Sequence, residues 1–268
     1  IWPEHPSFAD DGSYGPLDSW RGTCDAGEEG EFTCNNKLIG ARYFKATFES
    51  VYAIQPGEFI SPRDADNHGS HTASTAAGNE GVNATIGGQP VGVIGGVAPR
   101  ARIAMYKACW NSSYVSPAGV AERGCFYGDT MAAIDAAVAD GVDVINYSIG
   151  GSLDDLTTVS AAAKLRATQA GVLVSVSAGN SGAGNTLETV GTPAPWVVSV
   201  AASGVSVNAV RINGGSLAGK KTAVEGSVGR SLKLTGDVTA DVAVAMPLDA
   251  CADLQNAAAL AGKVVLIQ

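Results

Sequence analysis

The strongest constraint on the fold is a regular alternation of apolar and alanine-rich segments between residues 101 and 201. Two Ala-rich stretches, 129–140 and 157–170, carry apolar residues at helical spacing, and a glycine ends each of them. Apolar runs typical of β-strands flank these helices: 101–108, 142–148, 172–176 and 196–201. Such an alternation is typical of right-handed βαβ units. We therefore predict an α/β fold with a mostly parallel sheet, in which the run 172–176 is buried on both faces.

The two flanks of this region have a different character. Residues 1–60 are rich in Gly, Pro, Asp and Glu and show only weak periodicity, so we expect them to be irregular. Beyond about residue 205, Gly, Ser and Thr mix with short alternating segments. Strands are predicted at 238–246 and 263–268, and a helix at 254–260 lies between them.

Charge and hydropathy argue against two kinds of partner. The formal net charge is -9, and the 17 Lys and Arg residues are scattered rather than clustered, so we expect no nucleic-acid partner. The apolar runs are all shorter than the roughly 18 residues that span a bilayer, so we expect no membrane partner.

Cysteine usage is typical of an oxidising compartment. Two pairs of cysteines are close in sequence, and each encloses a polar, Gly-containing stretch, as in short disulfide-closed surface loops. The fifth, Cys251, is either a buried free thiol or bonded to a partner beyond Gln268. There is no C-x-x-C, which disfavours a zinc knuckle or a thioredoxin-like site.

Three sequons for N-glycosylation occur in the chain. Asn83 and Asn111 stand in loop-like sequence, so both are candidate acceptors. Asn146 ends an apolar strand, and we expect it to be buried and unmodified.

The sharpest local feature is a cluster of acidic residues and histidines. Asp64, Asp66, His68 and His71 lie within eight residues, and the two histidines share one face if a helix begins near His68. Three interpretations are open. His68 is a general base, a task for which histidine is the usual side chain; the four side chains form a metal site; or the histidines are structural and lie beside capping residues. The absence of H-E-x-x-H disfavours a zincin.

Two predicted strands end in unusual polar and glycine-rich sequences. One continues into 148–151 and the other into 177–182. Ligands of parallel sheets bind beyond the carboxyl ends of the strands, so both segments are candidate site elements. Asn180 is placed there to donate a hydrogen bond to a developing oxyanion. Taken alone, Asn180 is better interpreted as a turn asparagine that tolerates the left-handed conformation before Gly182.

Taken in order, the motifs resemble the subtilase family, and more narrowly its plant-type, cucumisin-like branch. His68-Gly69-Ser70-His71-Thr72-Ala73-Ser74 is similar to the family's H-G-T-H-x-A-[GS] motif, and residues 96–101 are similar to its G-x-A-P-x-A motif. The remaining matches are 1–8, 20–24, 34–42, 143–150 and 178–182. The resemblance implies a three-layer subtilisin-like fold. It also implies a domain at 1–225 and the start of a β-rich protease-associated domain at 226–268.

The resemblance assigns roles residue by residue. It makes His68 the catalytic base, Asn180 the oxyanion donor and His71 a structural residue. Ser148, Ile149 and Gly150 would pair with the substrate backbone, and Ala178 and Gly179 would line the pocket for the side chain before the scissile bond. The implied disulfides are Cys24–Cys34 and Cys109–Cys125.

The resemblance also implies a function. The triad aspartate is expected three residues before Ile1 and the serine after Gln268, so the chain alone should not hydrolyse peptides while its intact parent should act as a secreted serine endopeptidase. Expected partners are polypeptide substrates and the protein's own propeptide. No cofactor is predicted, since no acidic loop has calcium-ligand spacing. Two alternatives stay open: an inactive, peptide-binding homologue and a metal-dependent hydrolase.

Overall fold

The computed structural model describes residues 1–86, 88–115, 121–151, 156–181, 189–202, 209–211, 221–223, 242–244, 255–260 and 264–266. The chain forms two compact units, Ile1–Gly204 and Val205–Gln268. The strands are β1 Leu38–Tyr43, β2 Val82–Ile86, β3 Gln89–Ile94, β4 Ile103–Lys107, β5 Trp110–Val115, β6 Ala121–Gly124, β7 Val144–Tyr147, β8 Leu173–Ser177, β9 Val198–Val200, β10 Ala209–Arg211, β11 Lys221–Ala223, β12 Val242–Val244 and β13 Val264–Leu266. The helices are the 3₁₀ turn Pro6–Phe8 and α1 Ala46–Glu49, α2 His68–Ala77, α3 Tyr127–Asp140, α4 Val159–Gln169 and α5 Ala257–Leu260.

The predicted α/β class is confirmed in the first unit. Strand β7 pairs in parallel with β8, β8 pairs in parallel with β9, and β1 pairs in parallel with β4. Helix α4 connects the paired parallel strands β7 and β8, as expected of a βαβ unit, whereas the β5–β6 hairpin and α3 lie between β4 and β7 in sequence. The antiparallel pairs in the described residues are the hairpins β2–β3, β5–β6 and β10–β11.

Local sequence signals set the ends of the two central helices. Gly141 follows α3 in the left-handed conformation, with φ 93°, and its N–H donates to the carbonyls of Ala137 and Val138. Thr158 precedes α4, and its hydroxyl oxygen accepts a 3.1 Å hydrogen bond from the N–H of Ala161. These caps explain why both helices begin and end close to their predicted limits.

Helices α3 and α4 pack on one face of the β7–β8–β9 sheet. Ala137, Ala163 and Ala167 are buried against Val174 and Val176 of β8. Alanine at the contact positions lets each helix backbone come close to the sheet, which is how this small-residue core reaches native packing density.

Strand β4 has helices on both of its sides. Ile103 and Met105 contact a second apolar cluster that contains Ala77 at the end of α2. Tyr106, which points to the opposite face of the strand, packs against the cluster of α3 and α4. Its hydroxyl donates a 2.8 Å hydrogen bond to the Asp140 carboxylate. The order helix, strand, helix is that of a three-layer α/β domain.

The expectation that residues 1–60 are irregular is wrong for one core strand. Strand β1 lies in this segment and pairs with β4, and the short helix α1 follows it. Gly40 interrupts the apolar alternation of β1 because the Trp20 ring occupies the space of a side chain there. A Cβ on Gly40 would lie 2.6 Å from Trp20 Cζ2. The weak periodicity of the segment therefore reflects close packing.

The run 172–176 is buried on one face of the sheet, not on both as predicted. Val174 and Val176 are buried under α3 and α4, whereas Leu173, directly before Val174, is 52% exposed. Val144 of β7 and Val198 of β9 are exposed as well. Side chains alternate between the faces of a strand, and the described residues place helices against one face of this sheet. An apolar run alone does not reveal which face is covered.

The three sequons also lie differently from the prediction. Asn83 and Asn111 are in strands β2 and β5 rather than in loops. Asn83 is exposed, whereas the Asn111 amide donates a 2.9 Å hydrogen bond to Glu58. Asn146 is exposed, not buried, because its side chain points to the uncovered face of β7.

The second unit contains the elements predicted near the end of the chain. Strand β12 pairs in parallel with β13, and α5 lies between them in sequence. The boundary between domains at 225/226 stays a prediction, and Cys251 lies outside the described residues. In the described part of the chain, the helices are all too short or too polar to cross a membrane.

Both implied disulfides are present, Cys24–Cys34 and Cys109–Cys125. We expect the Cys109→Ser/Cys125→Ser double variant to lose about 3 kcal/mol of unfolding free energy, since a loop of this size is freed in the unfolded chain. Chemical denaturation with and without reductant measures this loss. A double variant as stable as the oxidised protein would show that the bond is dispensable.

Candidate active site

Helix α2 places His68 at its first residue. Asn67, directly before it, has φ 70°, the one non-glycine residue with positive φ in the described segments. Asparagine tolerates this left-handed conformation better than most residues. The turn at Asn67 leaves the His68 side chain exposed at the start of the helix. His71 is exposed one turn later.

The carboxylate of Asp64 caps the N-terminal end of α2. One oxygen accepts hydrogen bonds from the N–H groups of Asp66 at 2.9 Å and Asn67 at 2.8 Å. The other accepts from the N–H and the hydroxyl of Ser70, both at 2.7 Å. Burial is the largest single effect and raises the pKa of Asp64, but the two hydrogen bonds from Ser70, together with smaller interactions that include the Asp66 N–H, leave the pKa lowered. The carboxylate is therefore ionised at neutral pH, which also suits the positive end of the helix.

The C-terminal end of α2 is satisfied by the backbone of the G-x-A-P segment. The N–H groups of Gly96, Val97 and Ala98 donate to carbonyls at the end of α2, namely those of Gly78, Thr75 and Ala76. Otherwise these carbonyls would lack partners, because the last turn of a helix has no intrahelical donors for them. Gly96 is required for this contact, since a Cβ there would lie 2.4 Å from the backbone nitrogen of Gly78.

We expect Gly96→Ala to destabilise the protein by about 2 kcal/mol or more, because the added methyl group meets backbone that cannot rotate away. Gly15→Ala is the matched control, since a Cβ at Gly15 meets nothing within 4 Å. Thermal or chemical unfolding of both variants makes the comparison. Equal stability of the two variants would contradict the proposed close contact.

A buried ion pair holds the segment that leads into α2. Lys107 at the end of β4 lies 2.9 Å from Glu58, and both side chains are largely buried. The Lys107 ammonium also donates to the carbonyls of Phe59 and Arg63. Burial lowers the pKa of Lys107, and Glu58 opposes that shift without cancelling it. The pair fixes residues 58–63 against the sheet, next to Asp64.

The two glycine-rich strand ends lie next to each other. The Ser177 hydroxyl donates to the carbonyl of Ile149 at 3.3 Å, which joins the end of β8 to the segment after β7. Ser148 hydrogen-bonds Asn146 through its hydroxyl. Gly150 is exposed, and a Cβ on it would meet nothing within 4 Å. The backbone at Gly150 therefore faces open space where another chain can approach.

Backbone contacts on both sides hold the segment that carries Asn180. The N–H of Ala178 donates to Val200 at 2.9 Å, and the carbonyl of Ala178 accepts from Gly191 at 3.0 Å. Gly179 has φ 86°, and Asn180 is exposed directly after it. The left-handed conformation falls on Gly179, so the interpretation of Asn180 as a left-handed turn residue is wrong. Its amide is presented to solvent at the carboxyl end of β8.

The structure therefore groups the candidate residues into two sets. Ser148, Ile149, Gly150, Ala178, Gly179 and Asn180 meet at the ends of β7 and β8. His68 stands on α2, whose buried residues contact β1 and β4.

Sequence reasoning missed the capping role of Asp64 and the Lys107–Glu58 pair. The sequence does carry a signal for the Asp64 cap, because Asp64 opens a turn-like D-x-D-N stretch. The Lys107–Glu58 pair has no such signal, since Glu58 stands in an irregular segment.

The metal-site interpretation of this cluster has no support. Both oxygens of Asp64 accept hydrogen bonds from nearby donors, which leaves them poorly placed as metal ligands. Among the residues that the structure describes, no three His, Cys, Asp or Glu side chains are grouped to hold an ion.

Comparisons with known proteins agree with these motifs. Residues 53–252 match the family model of the subtilase family, peptidase S8. The chain is similar to three subtilisin-like proteases of Arabidopsis thaliana: SBT1.7 with 43% identity over 209 residues, SBT1.6 with 44% over 220 and SBT5.3 with 43% over 205. The alignments cover 75%, 78% and 76% of this chain but 26%, 27% and 25% of the relatives. The chain thus spans about a quarter of the length of the curated relatives it matches.

Proposed function

The chain belongs to the subtilase family, and on that premise we propose that the full-length protein containing it is a serine endopeptidase. The observation that supports this most is the meeting of segments 148–150 and 178–180 at the carboxyl ends of two neighbouring parallel strands. Parallel sheets bind their ligands at this edge. Exposed Gly150 and exposed Asn180 follow the ends of these two strands, which would suit substrate binding and stabilisation of an oxyanion.

In the proposed reaction, His68 is the general base. The hydroxyl oxygen of the family's serine attacks the peptide carbonyl carbon while its proton passes to the His68 imidazole. The carbonyl oxygen becomes an oxyanion, which accepts a hydrogen bond from the Asn180 amide. The C–N bond then breaks, and the proton on His68 goes to the leaving amine. A water molecule then attacks the carbonyl carbon of the acyl-enzyme while His68 accepts its proton. The bond to the serine oxygen breaks, and His68 returns the proton to the serine. The resemblance predicts that the serine and the aspartate of this triad lie outside residues 1–268.

The substrate is proposed to be an extended polypeptide. Residues 148–150 directly follow β7, and Gly150 is exposed, so a substrate strand could add there by main-chain hydrogen bonds. Ala178 and Gly179 are small, so they leave room for the side chain before the scissile bond. In this proposal, residues 148–150 bind the substrate backbone, and Ala178 and Gly179 accommodate the substrate side chain.

The setting of the enzyme is also a proposal. The two disulfides support an oxidising compartment, consistent with a secreted protein. Residues 226–268 are proposed to begin a protease-associated domain, and the protein's own propeptide is a proposed partner.

Digestion of an unfolded protein by the full-length enzyme tests the proposal. Digestion should stop after treatment with a serine-directed phosphonate and continue in the presence of a chelator. Activity that a chelator abolishes and the phosphonate spares would favour the metal-dependent alternative. Peptide binding without cleavage would favour the inactive homologue.

A further inference from the structure

We propose that Asp64 is a positioning residue that fixes the catalytic geometry of His68. Its carboxylate accepts hydrogen bonds from both sides of the His68 position: from the N–H groups of Asp66 and Asn67 before it and from Ser70 after it. His68 itself is not one of these hydrogen-bond donors. The proposal rests on the proposed function, which gives His68 its role as base.

The need for such a device follows from where His68 stands. It is the first residue of α2, and its side chain is exposed. The residue before it, Asn67, has a left-handed backbone, which is a sparsely populated conformation. Helix ends also fray when their first N–H groups lack partners. The direction of the His68 side chain thus depends on a backbone turn that is unfavourable by itself.

Asp64 supplies a charged hydrogen-bond acceptor that stabilises this turn. Bonds to an ionised acceptor are stronger than neutral ones, and four donors converge on this single carboxylate. Asp64 is itself anchored, because its N–H donates to the carbonyl of Ile1 at 3.2 Å. The preceding residues are held by the buried Lys107–Glu58 pair. The anchor therefore runs from the sheet, through Asp64, to the first turn of α2.

Asp129 provides a matched control within the same chain. Its carboxylate also accepts two backbone hydrogen bonds at the start of a helix, from Thr47 at 2.9 Å and Phe48 at 2.8 Å. That helix is α1, which carries none of the candidate catalytic residues. Loss of either carboxylate weakens a helix start, but only loss of Asp64 disturbs the turn next to His68.

The first test measures the capping contact itself in the full-length protein. In Asp64→Ala, amide hydrogen exchange at Asp66, Asn67 and Ser70 should accelerate about tenfold or more, because each amide loses a bond to a charged acceptor. In Asp129→Asn, faster exchange should be limited to Thr47 and Phe48. Unchanged exchange at residues 66–70 in Asp64→Ala would overturn the proposal.

The second test asks whether the contact positions His68. In Asp64→Ala, kcat on a peptide substrate should fall roughly 100-fold with little change in KM, the loss expected when a catalytic group is misplaced by about 1 Å. Asp64→Glu should restore part of that loss, because it keeps a charged acceptor. Asp129→Asn should keep kcat unchanged in the folded fraction. If Asp64→Ala and Asp129→Asn lose kcat equally, Asp64 is structural only.

A third readout separates this proposal from the proposed function. Diethyl pyrocarbonate acylates neutral imidazoles, and peptide mapping gives the rates at His68 and at His5 in one sample. Asp64→Ala should change the ratio of these rates, and Asp129→Asn should not. If the wild-type protein proves inactive on peptides, the proposed function fails while this ratio still decides whether Asp64 sets the environment of His68. An unchanged ratio overturns the positioning role.

Discussion

His68→Ala in the full-length protein should lower kcat by about a millionfold, with peptide binding and fold preserved. That size is the value known for subtilisin, a member of the same family, and the present structure supplies the direction of the effect. Without the imidazole, the serine hydroxyl has no acceptor for its proton. The fold should survive, because His68 is exposed and alanine is favourable in a helix.

The matched control for this variant is His71→Ala. His71 is exposed on the same helix, one turn after His68, so its loss changes the helix surface in a similar way. We expect kcat of the folded enzyme to stay near the wild-type value. Turnover should be measured with a fluorogenic peptide, and binding of a non-cleavable peptide should be measured for both variants. Wild-type turnover by His68→Ala would remove His68 from the mechanism.

Asn180→Ala should lower kcat by roughly 100- to 1,000-fold and leave KM nearly unchanged. This range is again the one known for the oxyanion asparagine of subtilisin. The amide gains its hydrogen bond only when the carbonyl oxygen becomes an oxyanion, so its loss affects the transition state more than substrate binding. Asn180 is exposed at the end of β8, so little stability should be lost.

A second substitution separates catalysis from local structure. Asn180→Asp keeps the shape of the side chain but removes its donor and adds a negative charge beside the developing oxyanion. Its kcat should be no higher than that of Asn180→Ala. An aspartate variant with nearly wild-type kcat would show that the side chain acts through its shape alone.

Periodic patterns predicted the central part of the fold well. The strands β4, β7, β8 and β9 and the helices between them follow from apolar periodicity and from Gly141 and Gly171, because local caps and long-range packing agree there. Strand β1 could not be predicted, since the Trp20 ring replaces the side chain that Gly40 lacks. Whether the run 172–176 is covered on both faces was equally out of reach, as burial depends on elements distant in sequence.

The sequence predicted the segments of the candidate site better than the contacts that hold those segments in place. The start of α2 near His68 and the glycine-rich ends of two strands follow from sequence, because each depends on residues close together in the chain. The Lys107–Glu58 pair joins residues 49 apart, and the contact of Gly96 with Gly78 is a matter of backbone approach. Neither leaves a local pattern. The order of the motifs led to the proposed roles of individual residues. The hydrogen bonds and packing in the structure explain why those residues lie where they do.

The most direct test of the proposed role of His68 is the reaction of the full-length protein with a peptidyl diphenyl phosphonate, followed by mass spectrometry. We expect a single covalent adduct on a serine, formed rapidly by the wild-type protein and at a greatly reduced rate by His68→Ala. A wild-type protein that forms no adduct, or a His68→Ala variant that forms it equally fast, would contradict the claim that His68 serves as the base of a serine endopeptidase.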